Sequence, residues 1–269
     1  MIGIFDSGVG GLTVMKEIVK LLPEYDYLYL GDTARVPYGN RSAETVRQFS
    51  EEAVRWMFDQ GVKLIIIACN TASSSALRYL QDKYLVDRGV MDRKILGVIR
   101  PTVEEAIRLG CQRVCVVGTA GTVRAGAYEK EFEKLGSKAK VYSYACPLLV
   151  PLIEENWHNK PEARMILKKY LRPVKSCNPE ALILGCTHYP LMMRDFKRLM
   201  GKRVKIISSA EETAKKLVDY LKRHSEIEKL LRKERRRLFY ATDDSPGFKS
   251  FAERVIGKIG KINLAEIGK

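Results

Sequence analysis

Two apolar runs constrain this chain more than any other feature. Leu64-Ile65-Ile66-Ile67-Ala68 stops abruptly at Cys69-Asn70-Thr71-Ala72, and far downstream Ala181-Leu182-Ile183-Leu184-Gly185 stops at Cys186-Thr187-His188-Tyr189-Pro190. Short runs that are apolar at consecutive positions read as strands buried on both faces, the environment of a parallel sheet between helices. Open α/β sheets bind ligands at the carboxyl ends of their strands. Each run would therefore deliver a thiol, with polar neighbours, to such an edge.

The remaining segments fit the same architecture. Ile2 to Phe5 predicts a first strand, followed by the turn Asp6-Ser7-Gly8-Val9-Gly10-Gly11 and a helical pattern from Leu12 to Leu22. The glycine spacing is G-x-G-G, not G-x-G-x-x-G, which weakens a dinucleotide site and leaves tight turning and close helix packing as their use. Tyr25 to Leu30 predicts a second strand, ending at Gly31-Asp32-Thr33-Ala34 and a loop through Pro37-Tyr38-Gly39. Ser42 opens a helix that closes at Gly61, and Thr71 to Leu80 continues the third strand as a helix. At that transition Cys69 would feel backbone N–H groups and the helix dipole, which lower a thiol pKa. A fourth strand is expected over Ile95 to Ile99, with Pro101 holding Arg100 out of helix and a helix over Val103 to Leu109.

The order then repeats. Val114 to Val117, Val141 to Tyr144, Ala181 to Leu184 and Val204 to Ile207 read as strands. The first ends in Gly118-Thr119-Ala120-Gly121-Thr122, the second in Ala145-Cys146-Pro147 and the third at Cys186. Helices are expected from about Gly126 to Leu135 and from Leu148 to Glu155, and Ser209-Ala210-Glu211-Glu212 reads as a capping box opening a helix to about Arg223. Asp6 precedes Cys69 by nearly the same stretch that separates Thr119 from Cys186, the mark of an internal duplication. The expected fold is α/β, with two similar domains built on mainly parallel central sheets, related by a pseudo-two-fold axis, and the active site in the cleft between them. The first domain would take residues 1–98 plus 208–269 and carry Cys69; the second would take 99–207 and carry Cys186. Leu238 to Thr242 would return a strand to the first domain, followed by a turn over 243–247 and a last helix from Phe248 to Ile256.

Lys and Arg number 47 against 32 Asp and Glu, a net charge of +15. The excess is densest from Lys222 to Arg237, which reads as a solvated amphipathic helix in preference to a nucleic-acid contact. Six cysteines without a C-x-x-C pair, alongside three histidines, point to free thiols and against structural zinc. Met1 runs straight into the first strand with no room for a signal peptide, and no apolar run approaches the ~20 residues that cross a bilayer. The chain is expected in the cytoplasm.

A thiol and its thiolate are both accessible near neutral pH, so one cysteine can take a proton while another gives one. Inverting a stereogenic carbon is simplest when the proton leaves one face and its replacement arrives at the other. Two domains with one cysteine each provide both faces. Asp6 is placed to assist Cys69, His188 to orient or deprotonate Cys186, and Glu154 to serve His188. Asn70, Thr71, Thr119, Thr122 and Thr187 offer amide and hydroxyl groups for ammonium and carboxylate. Plainer roles exist for each: Asp6 as a helix cap, Glu154 as an exposed helix residue, His188 as a turn histidine. Cys111, Cys115 and Cys177 read as packed thiols and Cys146 as structural.

The segments Asp6-Ser7-Gly8-Val9-Gly10-Gly11-Leu12-Thr13-Val14, Gly31-Asp32-Thr33-Ala34 with Pro37-Tyr38-Gly39, Ala68 to Ala72 and Leu184 to Pro190 together resemble glutamate racemases of the aspartate/glutamate racemase superfamily. The likeness continues through Gly118-Thr119 with Thr122-Val123, Cys146-Pro147 to Glu154, and Ser209 to Thr213. It implies two α/β domains around a central site and interconversion of L- and D-glutamate, with no pyridoxal phosphate and no metal, supplying D-glutamate for bacterial peptidoglycan. It implies Cys69 and Cys186 as the paired acid and base, Cys186 being the base for L-glutamate and Cys69 for D-glutamate. Asp6, Glu154 and His188 would be auxiliaries, and Ser7, Pro37, Tyr38, Gly39, Asn70, Thr71, Thr119, Thr122 and Thr187 the glutamate contacts. The expected assembly is a homo-oligomer, a dimer in preference. Arg100 departs from the family, which often has an acidic residue there. Three other readings stay open: a racemase of aspartate or another amino acid, a thiol hydrolase using Cys186 and His188, and a basic nucleic-acid-binding protein.

Overall fold

The computed structural model describes residues 1–86, 89, 92–243 and 246–268. The first run of elements is β1 (Ile2–Asp6), α1 (Leu12–Leu21), β2 (Tyr27–Gly31), α2 (Ala43–Asp59), β3 (Leu64–Ile67), α3 (Asn70–Gln81), β4 (Lys94–Gly97) and α4 (Ile99–Arg108). The second is β5 (Arg113–Gly118), α5 (Ala120–Ala125), α6 (Ala127–Lys134), β6 (Lys140–Ala145), α7 (Leu149–Glu154), α8 (Pro161–Ser176), β7 (Ala181–Gly185), α9 (Met193–Met200) and β8 (Lys205–Ser208). Then come α10 (Ser209–Arg223), α11 (Ser225–Glu228), β9 (Arg237–Ala241), α12 (Pro246–Ile256) and β10 (Ile262–Leu264).

The strands form two parallel sheets, ordered β10-β9-β2-β1-β3-β4 and β6-β5-β7-β8. The inner strands β2-β1-β3-β4 match the second sheet position for position, so the duplicated order of the sequence is a duplicated topology. In each sheet the chain leaves the opening strand to one side and then returns to its other side. That reversal opens a crevice at the carboxyl ends of β1 with β3, and of β5 with β7.

Each sheet is apolar on both faces because helices cover both. Ile2, Ile4 and Ile66 pack with Leu12, Ile18 and Leu217 on one side, while Phe5, Ile65 and Ile67 pack with Val54, Met57, Ala72 and Ala76 on the other. Helix α10 packs on α1 and also on α4, so it is shared by the two halves. Among the described residues no helix is long and apolar enough to cross a membrane.

Several local expectations are corrected. β4 ends at Gly97 and α4 begins at Ile99, so Arg100 is helical and Pro101 lies in the first turn. There the missing N–H is no loss, since the first N–H groups of a helix have no intrahelical acceptor. Residues 120–125 form the short helix α5, ahead of the helix expected from about Gly126, because Thr119 Oγ1 caps it by accepting from Thr122 N–H at 3.2 Å. Ser208, not Ser209, caps α10; the Ser209 hydroxyl donates to the Leu184 carbonyl at 3.2 Å. The basic stretch 222–237 is not one helix, since α10 stops at Arg223 and α11 is a single short turn. Beyond it, Asp26 Oδ1 accepts from the N–H groups of Glu234 and Arg236 at 2.9 and 3.0 Å, taking donors a helix would have used internally. Helices α8 and α9 and strand β10 have no counterpart in the sequence reading; Pro161 and Pro173 obscure the apolar period of α8. The turn expected over 243–247 includes Asp244 and Ser245, which lie outside the described residues.

The turns after β1 and β7 meet across the junction. Thr13 donates its hydroxyl proton to the Thr187 carbonyl at 2.7 Å, and a Cβ on Gly10 would strike Thr187 Oγ1 and the His188 ring. Gly10→Ala is therefore expected to lower stability by ~1–3 kcal/mol in urea denaturation. Gly260 has open space around it, and Gly260→Ala should change stability by less than ~0.5 kcal/mol. Equal effects of the two substitutions would contradict the close approach at Gly10.

Candidate active site

The carboxyl ends of the two sheets face each other across a cavity of about 230 Å³. It is lined by Ser7 and Gly8 after β1, Val36 to Asn40 after β2, and Cys69, Asn70 and Thr71 after β3. The other half supplies Thr119 and Ala120 after β5, Pro147, Val150, Pro151 and Glu154 around α7, and Cys186, Thr187 and His188 after β7. A larger groove of about 700 Å³ between α3, β4, α4 and α10 carries no thiol among the described residues. Chemistry, not size, singles out the smaller cavity.

Of the residues expected at a site, only Asp6 and Thr122 do not line this cavity. Asp6 is buried behind the wall, its Oδ2 accepting from Gly8 N–H at 3.0 Å. Nor does it cap α1, whose N-cap position is Gly11. Burial pushes the Asp6 carboxyl up, against His188 and the Gly8 and Gly11 amides, which pull it down. The Thr122 hydroxyl backs those of Thr71 and Thr119, at 3.3 and 3.1 Å. Gly8, Val36, Asn40, Ala120, Pro147, Val150 and Pro151 line the cavity without having been anticipated. Most sit beside a motif residue; Val150 and Pro151 lie one helical turn before Glu154, so the period of α7 was the usable signal.

Cys69 sits at the N-cap of α3, where its sulfur accepts from Ala72 N–H at 3.4 Å and lies 3.4 Å from Ser7 Oγ. The sequence suggested a lowered pKa here; the structure gives the opposite. Burial pushes the thiol up to about 12, the Asp6 charge adds to this, and the Ser7 and Ala72 hydrogen bonds recover only part. One weak bond to the helix terminus and one to the Ser7 hydroxyl do not offset removal of a thiolate from water. Cys69 is held as a thiol.

The opposite wall is built differently. His188 Nε2 lies 2.9 Å from Glu154 Oε1, and Nδ1 lies 3.8 Å from Cys186 Sγ. Phe251 packs edge-on against the ring at 5.7 Å between centroids. Burial alone would pull the imidazolium down, but the hydrogen bonds and charges of Cys186 and Glu154 outweigh it and hold His188 up at about 10. His188 is thus no ordinary turn histidine, and Glu154, although partly exposed, is not idle.

The loop after β2 is pinned from below. Asp32 is fully buried and accepts from Arg35 Nε at 2.7 Å, from Thr242 Oγ1 at 2.8 Å, and from the hydroxyl of Tyr38. Tyr38 is thereby fixed beside Pro37, whose peptide bond to Val36 is cis. Thr71 and Thr119 meet across the cleft at 2.8 Å between hydroxyls, one from each half. All the cysteines are free, and among the described residues no group of His, Cys, Asp and Glu is placed to hold a metal ion.

Comparison with known proteins agrees with this geometry. Residues 2–217 match the model of the Asp/Glu/Hydantoin racemase family. The chain belongs to that family. Among its relatives, the glutamate racemase of Geobacter metallireducens is 41% identical over 97% of this chain and 94% of its own length. That of Persephonella marina is 40% identical over 100% of this chain and 98% of its own. Among solved structures, the glutamate racemase isoform RacE1 of Bacillus anthracis superposes with a TM-score of 0.89 at 36% identity, covering 99% of this chain and 97% of the other. The Francisella tularensis enzyme, in complex with D-glutamate, gives 0.88 at 34% identity, with 98% and 97% covered.

The His188 site predicts how this racemase responds to pH. An imidazole with an ordinary value of 6.5 unfolded and about 10 folded contributes stability that is fully present below about 6.5 and is lost as pH rises through about 10. Thermal melts of wild type and His188→Asn across that window should converge as pH rises. A gap that stays constant with pH would show that the buried imidazole is neutral.

Proposed function

We propose that this racemase interconverts L- and D-glutamate by proton transfer at the α-carbon between two cysteines. The observation that carries the proposal is the placement of Cys69 and Cys186 on opposite walls of one cavity, after the equivalent strands β3 and β7. The full-length likeness to glutamate racemases at 41% and 40% identity selects glutamate over aspartate. Likeness to a Picrophilus torridus aspartate racemase, at 18% identity and a TM-score of 0.55, concerns the fold alone.

With L-glutamate bound, Cys186, beside the His188 cation, acts as the thiolate that removes the α-proton. Cys69, held as a thiol by its buried setting, gives a proton to the opposite face of the resulting carbanion. D-glutamate is formed and the proton inventory of the two cysteines is reversed. Asp6 lies behind Cys69 as a proton-handling neighbour, and Glu154 keeps His188 charged. Ser7, Pro37, Tyr38, Gly39, Asn70, Thr71, Thr119 and Thr187 hold the ammonium and carboxylate groups, with Thr122 supporting the paired threonines. Their dipoles are fixed before the reaction, so they stabilise developing negative charge without reorganising. The scheme needs no cofactor, since acid and base both come from the chain.

A hydrolase using Cys186 and His188 alone would leave Cys69 without a task, and the continuous basic helix that suggested nucleic acid is not formed. D-glutamate made here would feed peptidoglycan synthesis, and the same proposal takes the enzyme as a cytoplasmic homo-oligomer, dimeric in preference. It also divides the chain into a first domain of residues 1–98 with 208–269 and a second of 99–207.

The two enantiomers have equal energy, so any variant must lower kcat/KM equally in both directions. Isotope exchange, not rate asymmetry, separates the cysteines. In deuterated water Cys69→Ser and Cys186→Ser should each slow racemisation by about 10³-fold. Cys69→Ser should still exchange the α-proton of L-glutamate without inverting it, and Cys186→Ser that of D-glutamate. Wild-type protein that exchanges neither enantiomer, or a Cys69→Ser enzyme with full racemase activity, would refute the scheme.

A further inference from the structure

We infer that Tyr128, which lies outside the cavity, is a positioning residue that fixes which end of the Asn70 carboxamide faces the substrate. The inference rests on the proposed role of Asn70 as a glutamate contact. Asn70 is the first residue of α3, directly after Cys69, and lines the cavity although it is almost fully buried. Its Oδ1 accepts from the Tyr128 hydroxyl at 2.7 Å, and its Nδ2 lies 3.4 Å from Ser209 Oγ. Ser209 gives its own proton to the Leu184 carbonyl at 3.2 Å, so toward Asn70 it can only accept. The two contacts agree on one orientation of the amide.

The consequence for the cavity follows from counting hydrogens. A carboxamide has two N–H donors and one carbonyl oxygen. With the oxygen engaged by Tyr128 and one N–H by Ser209, the remaining N–H is left for a carboxylate. Were the amide flipped, its NH₂ would face the Tyr128 oxygen and its own oxygen would face Ser209, which could answer only by giving up its bond to the Leu184 carbonyl and leaving that buried acceptor unpaired. A substrate carboxylate would then meet an oxygen. Tyr128 is itself fully buried, and burial keeps its phenol protonated, so it remains a donor.

The arrangement also joins the two halves. Asn70 follows β3 of the first sheet, whereas Tyr128 is on α6 and Ser209 opens α10 after β8 of the second. The Tyr128 anchor therefore comes from the half opposite Asn70 and acts only when the cleft is assembled, while Ser209 sits on the shared helix α10. This differs from the direct threonine pairing of Thr71 with Thr119, which presents hydroxyls able to rotate.

The test compares Tyr128→Phe, Asn70→Ala and the double variant, with Ser209→Ala as a second lesion at the other anchor. Tyr128→Phe should raise KM for both enantiomers about 10-fold while kcat changes less than about 3-fold, the pattern of lost uniform binding. In the Asn70→Ala background, Tyr128→Phe should add nothing, since the group it orients is gone. Ser209→Ala should raise KM in the same sense. Independently of turnover, the Asn70 side-chain NH₂ signals, identified by their absence in Asn70→Ala, should exchange with solvent slowly in wild type and faster in Tyr128→Phe. Unchanged KM, multiplicative losses in the double variant, or unaltered NH₂ exchange would overturn the inference. If wild type failed to turn over glutamate, the proposed function would fall, while NH₂ exchange would still decide whether Tyr128 holds the amide.

Discussion

His188 and Glu154, 2.9 Å apart at the junction of the two halves, set the electrical character of the cavity. A buried imidazole ordinarily loses its proton. Here Cys186 and Glu154 flank it, and the cation survives to about pH 10. On the opposite wall, burial and the Asp6 charge keep Cys69 a thiol. Two cysteines in identical surroundings would compete for the same proton state. In the proposed scheme these different surroundings assign one cysteine to the base and the other to the acid.

That asymmetry is laid over a nearly symmetric scaffold. β2-β1-β3-β4 and β6-β5-β7-β8 are the same arrangement twice, and both cysteines follow the strand beside the opening one. Duplicated backbones place two sulfurs facing one pocket. Duplication alone would also give them the same chemistry. The departures come from short segments: Asp6 behind β1 on one side, and Glu154 on α7 reaching His188 on the other. Close approach is needed for this, and Gly10 permits it by leaving room for Thr187 and His188.

Much of this was legible in the sequence because it is periodic or local. The apolar strands, their order and the thiols at their ends follow from runs such as Leu64 to Ile67, which only a doubly covered sheet accommodates. Motif residues from Ser7 to His188 gather at one cavity because parallel strands bring every carboxyl end to the same edge. What was not legible is set by long-range contact. The rise of the Cys69 pKa depends on depth of burial and on Asp6, neither of which spacing alone reveals. Tyr128 carries no motif, and its bond to Asn70 spans the two halves. The basic stretch 222–237 has helical composition, but backbone bonds to Asp26 claim its N–H groups and break the helix.

The central claim is geometric: one sulfur for each face of the same carbon. A crystal structure of this chain with glutamate bound tests it most directly. The account predicts Cys69 Sγ and Cys186 Sγ on opposite sides of the α-carbon, each within roughly 3.5 Å, the range of a near-attack arrangement. Both sulfurs on one face, or only one of them near the α-carbon, would contradict it.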